Sequence, residues 1–257
     1  MRFFICLLAS IPISSRVFAQ QTDTTKSAGG VRAPLKAVYV YAYRNQKNTA
    51  KRISRLLEPR RIETTIVHAV DLDESLFVDT DLVIIGFETR DVWGTELAVD
   101  EIRETSLPVL ALGEGGHRLL GALDLKLGDF PSERGKGTAV RPSPDAIFWD
   151  GFRSEPVDGL HQCFTESSKV SVRIPENADN VYPIAADPAQ SGHYLIAAEK
   201  PYYLFLGFEG RPEQLTDVGR NLLPWACYYA VAMKRNPERA FASNDEVSKI
   251  SRPSSSK

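Results

Sequence analysis

Three short stretches hold residues that could do chemistry. The first is Glu114-Gly115-Gly116-His117, set directly behind the apolar run Pro108 to Gly113, PVLALG. A carboxylate there sits at a helix start, where free backbone N–H groups and the helix dipole stabilise an anion. Gly115 and Gly116 let backbone come close to a ligand or to neighbouring strands. The second stretch is Gly207-Phe208-Glu209-Gly210-Arg211-Pro212-Glu213. Glu114 and Glu209, if they face each other across a cleft, could act as acid and base on a glycosidic bond, or bind a sugar or a metal ion. The plainer alternative is that Glu114 caps its helix or pairs with a cation. The third stretch, Gly86 to Gly94, gathers Glu88, Arg90, Asp91 and Trp93 in one loop. That set suits ligand contact, and it equally suits a solvated charged loop with Trp93 packed on the following helix.

Other reactive types are sparse. His68, His117, His161 and His193 show neither HxH nor HExxH spacing, so no metal ligand set and no cofactor are implied. His117, one turn into its helix, suits a structural bond to backbone as well as ligand contact. Apart from Cys6 near the N-terminus, the cysteines are Cys163 and Cys227. They could pair in an oxidising compartment or remain two buried thiols.

The elements that must position these residues alternate in type. Lys36 to Tyr43, Ile62 to Ala69, Asp81 to Phe87 and Pro108 to Gly113 read as largely apolar strands, the pattern of a parallel sheet covered on both faces. Helices are expected at Asn48 to Leu57, Gly94 to Thr105 and Arg118 to Leu123, giving four β-α units in a row. Ligands of such sheets lie beyond the carboxyl ends of the strands, where strand order reverses. In the second half, Lys169 to Ile174, Val181 to Ala186, His193 to Ala198 and Tyr202 to Phe208 read as an antiparallel extension. A closing helix is expected at Thr216 to Met233, kinked by Pro224.

Length and composition bound the rest. The chain has 257 residues, 43% of them hydrophobic and 25% charged, which suits a globular α/β domain. A formal charge of −2 gives no electrostatic reason to expect nucleic acid. Residues 1–19 (MRFFICLLASIPISSRVFA) have the charged start, short apolar run and small-residue end of a signal peptide, so export to the periplasm or medium is expected, with cleavage near Ala19. Residues 20–34 read as a flexible leader, 35–239 as one domain, and the Ser-rich 240–257 as a disordered tail. No other stretch is apolar enough for a transmembrane helix.

PVLALGEGGHRLL resembles the nucleophile-elbow segment of class I glutamine amidotransferases, in which a strand, a sharp turn bearing Cys, and a helix follow one another. Gly207 to Glu213 is similar to the family's closing segment, which ends His-Pro-Glu. The resemblance implies a flavodoxin-like α/β fold, with Glu114 at the nucleophile's position, Arg211 at the base's and Glu213 at its orienting carboxylate's. It also implies that Gly86 matches the residue whose N–H serves the oxyanion hole. Trehalose-utilisation-type relatives share this scaffold without the triad. With Glu for Cys and Arg for His, the chain resembles a degenerate member: Arg stays protonated and cannot act as a base. Glutaminase action is not expected. The resemblance implies that Glu114 and Arg211 face each other as an ion pair. The chain then reads as an exported, non-catalytic ligand-binding or structural protein of the cell envelope. Its ligand-facing residues would be Gly86, Glu88, Glu114, Gly115, His117, Arg211 and Glu213, with a small molecule, a glycan or an envelope protein as partner. The alternative is a carboxylate-dependent hydrolase working through Glu114 and Glu209.

Overall fold

Alternation of side chains decides the architecture. Along β1 (Leu35–Tyr41), Tyr39 and Tyr41 enter one core while Val38 and Val40 enter another, so both faces of the strand are buried. β3 (Leu82–Ile85) and β4 (Val109–Leu112) are buried along their whole length. The fold comes from a computed structural model, which describes residues 33–94, 96–167 and 169–241. The expected signal segment, all but the last two residues of the leader, and the tail beyond residue 241 lie outside the described residues.

Among the described residues the sheet has eleven strands, with β2 (Ile62–His68) at one edge and the main path running β2-β1-β3-β4-β11-β10-β9-β6-β7. The pairs β2-β1, β1-β3, β3-β4 and β4-β11 are parallel, with β11 at Tyr203–Leu206. This is the 2-1-3-4-5 order of doubly wound flavodoxin-like sheets, and the order reverses between β1 and β3. On one face α1 (Lys47–Leu57) and α5 (Asp217–Arg235) bury Ile53, Leu57, Leu222 and Ala226. On the other, α2 (Glu96–Glu104) and α3 (Gly113–Ala122) contribute Ile102 and Leu119.

The extension is antiparallel: β10 (His193–Glu199) pairs with β11, β9 (Val181–Ala186) and β8 (Val170–Arg173). The segment expected at Tyr202 to Phe208 thus belongs to both halves, parallel to β4 and antiparallel to β10. β5 (Ser132–Arg134), β6 (Ala139–Pro142) and β7 (His161–Gln162) had no sequence signal, being two to four residues long. Two short helices, α4 (Lys126–Asp129) and α6 (Pro237–Ala240), complete the α-helices among the described residues.

Two expectations change. No α-helix carries the crossover from β2 to β3; two 3-10 turns, Ala69–Asp71 and Glu74–Phe77, do so. α3 begins at Gly113 rather than Arg118, so Glu114, Gly115, Gly116 and His117 are helical. Helix α5 runs through Pro224, which is buried within it. Its start is capped by Thr216, whose hydroxyl accepts from the Gly219 N–H at 3.2 Å. Of the two readings of the cysteines, the free one holds: Cys163 and Cys227 are buried thiols. Burial pushes the Cys163 thiol up to about 12.

Candidate functional site

The carboxyl ends of β3, β4 and β11 bring three loops together. Between β4 and α3 the chain turns at Gly113, the residue in the left-handed region, with φ +53°. A side chain there would be strained and crowded: a methyl group would come within 2.7 Å of Phe87 Cβ and 2.8 Å of the Phe208 carbonyl. In a nucleophile elbow the reactive residue occupies the sharp turn itself. Here that position carries no side chain, and Glu114 stands one residue further on, in the first turn of the helix.

Glu114 does not pair with Arg211. Its carboxylate, with 27% of the side chain exposed, meets Arg90 Nη1 at 3.4 Å and Arg118 Nη2 at 3.9 Å. Arg90 also reaches Asp91 at 3.4 Å, and Asp91 accepts from the Tyr43 hydroxyl at 2.8 Å. Arg211 is exposed, and its backbone N–H donates to Gln214 Oε1 at 2.6 Å. Pro212 follows it and opens the 3-10 turn Pro212–Gln214, which leads Glu213 away to Arg52 of α1, 3.0 Å off. The motif match puts Arg211 and Glu213 at the site; in the structure Arg211 is exposed and Glu213 pairs with Arg52 rather than with an elbow residue.

Glu209 stays with the elbow. It is half-buried, and its carboxyl is raised first by burial and then by the charge of Glu114, with Arg134 and Arg90 opposing. The site residues brought together are therefore Glu114 and Glu209, with Arg90, Arg118 and Arg134 as counter-charges. Arg118 was findable from its i,i+4 spacing to Glu114. Arg134 was not: it lies on β5, a three-residue strand that joins the site only through its pairing with β8.

The loop after β3 is fixed to α3 rather than free. The Gly86 N–H donates to the Val40 carbonyl at 2.9 Å, so it cannot also serve an oxyanion. The Gly86 carbonyl accepts from both the N–H and the hydroxyl of Thr89. Trp93 Nε1 contacts Thr89 Oγ1 and the Gly115 carbonyl, each at 3.0 Å. Trp93 is thus a packed clamp, not a ligand-facing ring. Gly115 belongs to the same seam, since a methyl there would sit 2.5 Å from the Gly86 oxygen. His117 is structural: Nε2 meets the Phe130 carbonyl at 3.0 Å, the ring packs edge-on against Phe205, and burial lowers its pKa.

Glu88 turns back over Gly86. Its side-chain oxygens are buried with no hydrogen-bond partner, and burial pushes the carboxyl up to about 7. The nearby Tyr39 hydroxyl is also buried and unpartnered. Among the described residues no three His, Cys, Asp or Glu side chains are grouped to hold a metal ion. A groove of about 280 Å³ lies at the opposite end of the sheet, beside Asp81, Pro108 and Arg235.

No family model and no curated protein matches the sequence. Solved structures do match in shape. A ThuA-like protein from Bacteroides uniformis is 11% identical, with a TM-score of 0.58 over 79% of this chain and 94% of that one. A glutamine amidotransferase from Thermotoga maritima is 12% identical, with a TM-score of 0.44 over 80% of this chain and 86% of that one. At such identities the likeness concerns the fold. The chain has an α/β fold similar to that of the ThuA-like protein, with a parallel core sheet between two layers of helices.

Proposed function

We propose that this is an exported, non-glutaminase member of the amidotransferase-like fold that binds a small polar ligand at the elbow. One observation carries the reading: the sharp turn falls on Gly113, which has no side chain to attack with, and the adjacent Glu114 is engaged by Arg90 and Arg118. Carboxylates interleaved with guanidinium groups can accept from and donate to the same molecule. That suits a polyhydroxylated compound such as a glycan fragment better than an apolar one. Export rests on residues 1–19, and no helix among the described residues is long and apolar enough to cross a membrane. Work in the cell envelope follows from that reading.

The test is ammonia release from L-glutamine by the purified protein. None is expected above a buffer control, from the wild type or from Glu114→Cys. Release abolished by Glu114→Ala would overturn the non-glutaminase reading, and secreted protein that still began at Met1 rather than Gln20 would overturn cleavage.

A second reading draws on the unequal surroundings of the two carboxyls. Glu209 is pushed toward its protonated form by burial and by Glu114, while Glu114 is flanked by two cations. Such an inequality is how enzymes separate an acid from its anionic partner. Hydrolysis of aryl glycosides that fell about 100-fold or more in Glu209→Gln would favour it.

A further inference from the structure

We propose that Glu88 is a proton-operated latch on the loop after β3: its neutral carboxyl seats Phe87–Thr89 against the ends of β1 and β3, and its ionisation releases them and frees Arg90 from Glu114. The inference goes beyond the ligand-binding reading and does not depend on it.

The seat is built for a carboxyl. Gly86 has φ −66° and ψ 144°, an extended conformation open to any residue, so the backbone does not require glycine. A methyl group there, however, would lie 2.7 Å from Glu88 Oε2 and 2.8 Å from Oε1. The glycine makes room for the Glu88 side chain. That side chain is 9% exposed, and neither oxygen has a partner. The hydroxyl of Tyr39, 0% exposed on β1, has none either, and the Glu88 charge acts on it. A neutral carboxyl tolerates such a place far better than an anion does. This is also the point where strand order reverses.

Apart from its own backbone N–H, which opposes the rise, no group within reach compensates an ionised Glu88. β1 offers only the Tyr39 phenol, itself raised well above its ordinary value by burial. β3 (LVII) has no titratable side chain. On α3, Glu114 occupies Arg90 and Arg118, while His117 is turned to the Phe130 carbonyl. Within the loop, Asp91 is held by Tyr43, and Glu209, beyond β11, is a further acid beside Glu114. An anion must therefore leave for water. Turning residue 88 outward breaks the Thr89 bonds to Gly86 and the Trp93 bond to Thr89, and it moves Arg90, next in sequence. Burial raises the carboxyl to about 7, which places the transition near neutral pH.

Hydrogen exchange of residues 86–93 in the full chain tests this, at about pH 5.5 and about pH 8.5, with intrinsic chemical rates divided out. Protection should fall at least about tenfold at the higher pH in the wild type and stay constant in Glu88→Gln, whose amide mimics the neutral acid. A wild-type change under about twofold, or an equal fall in Glu88→Gln, would overturn the latch. If Glu88→Gln fails to fold, the ¹³C carboxyl resonance of Glu88 in the wild type decides. A midpoint near 7 supports the latch, and one below about 5 overturns it.

Discussion

The antiparallel extension and the loop after β3 each bury a carboxyl group, and they treat it in opposite ways. Asp187, just after β9, accepts from Lys169 Nζ at 3.1 Å and from the backbone N–H groups of Lys136 and Ala189 at 3.2 and 3.0 Å. Lys169 also donates to the Ala139 carbonyl at 3.1 Å, and both side chains of the pair are 0% exposed. Every charge there has its counterpart. Glu88 has none. The first arrangement ties β6, β8 and β9 together around a compensated pair. The second leaves an acid whose protonation state must change or whose place must change. A strut is satisfied at every pH near neutral; a device is not.

The largest effect should come from unbalancing the strut. Lys169→Met leaves Asp187 charged in a dry interior and should destabilise by about 3 to 5 kcal/mol in urea unfolding at neutral pH. The double variant Lys169→Met, Asp187→Leu should cost clearly less than the single change, because no lone charge remains. A single-variant loss under about 1 kcal/mol would mean that water reaches Asp187, and the contrast with Glu88 would fail.

Glu88 comes next, with its own sign. Its folded pKa, about 7, lies above the ordinary 4.5. The stabilising contribution of the neutral acid is therefore fully present below pH 4.5 and is lost as pH rises toward 7. If the side chain stayed seated, the loss would reach about 3 kcal/mol. If the latch opens, the loss stops at the smaller free energy of releasing the loop, so its size measures the latch. The difference in unfolding free energy between Glu88→Gln and the wild type should grow in favour of the variant over that interval and be flat above it. A difference that does not vary with pH would show that Glu88 is already solvated.

Much of this was legible from the sequence, for reasons particular residues make plain. The strands β1, β3 and β4 announce themselves because both of their faces are buried, so no polar residue interrupts YVY, LVII or VLAL. Glu114 and Glu209 lie just beyond the ends of β4 and β11, next to strands that the sequence pattern makes plain. The turn itself is not plain: LGEGG offers three glycines, and only backbone geometry shows that Gly113 takes the positive φ. Arg211 and Glu213 matched a motif, but the turn begun by Pro212 sends Glu213 to Arg52. The role of Arg90 could not be read either, since its reach to Glu114 depends on the clamp that Trp93 makes with Thr89 and Gly115. The loop's buried acid was flagged as a ligand contact because burial is invisible at a position flanked by Phe87 and Thr89 in a run of polar residues.

The smallest effect is the most discriminating. Arg90 is half exposed at its tip, so its ion pair with Glu114 should contribute under about 1 kcal/mol to stability, and Arg90→Ala should hardly move the unfolding midpoint. Its electrostatic effect on Glu209 is separate. The Arg90 charge lowers the Glu209 pKa and the Glu114 charge raises it. Two substitutions at one ion pair should therefore push a third residue in opposite directions. Arg90→Ala should raise the Glu209 midpoint, followed by the ¹³C shift of its carboxyl, and Glu114→Gln should lower it. A general loosening of the elbow cannot imitate that, because loosening admits water and lowers the midpoint in both variants. If both variants move Glu209 the same way, the elbow charges do not act on one another through space. Glu114 and Glu209 would then be two independent carboxyls, and neither the interleaved ligand site nor the acid–anion pair could rest on them.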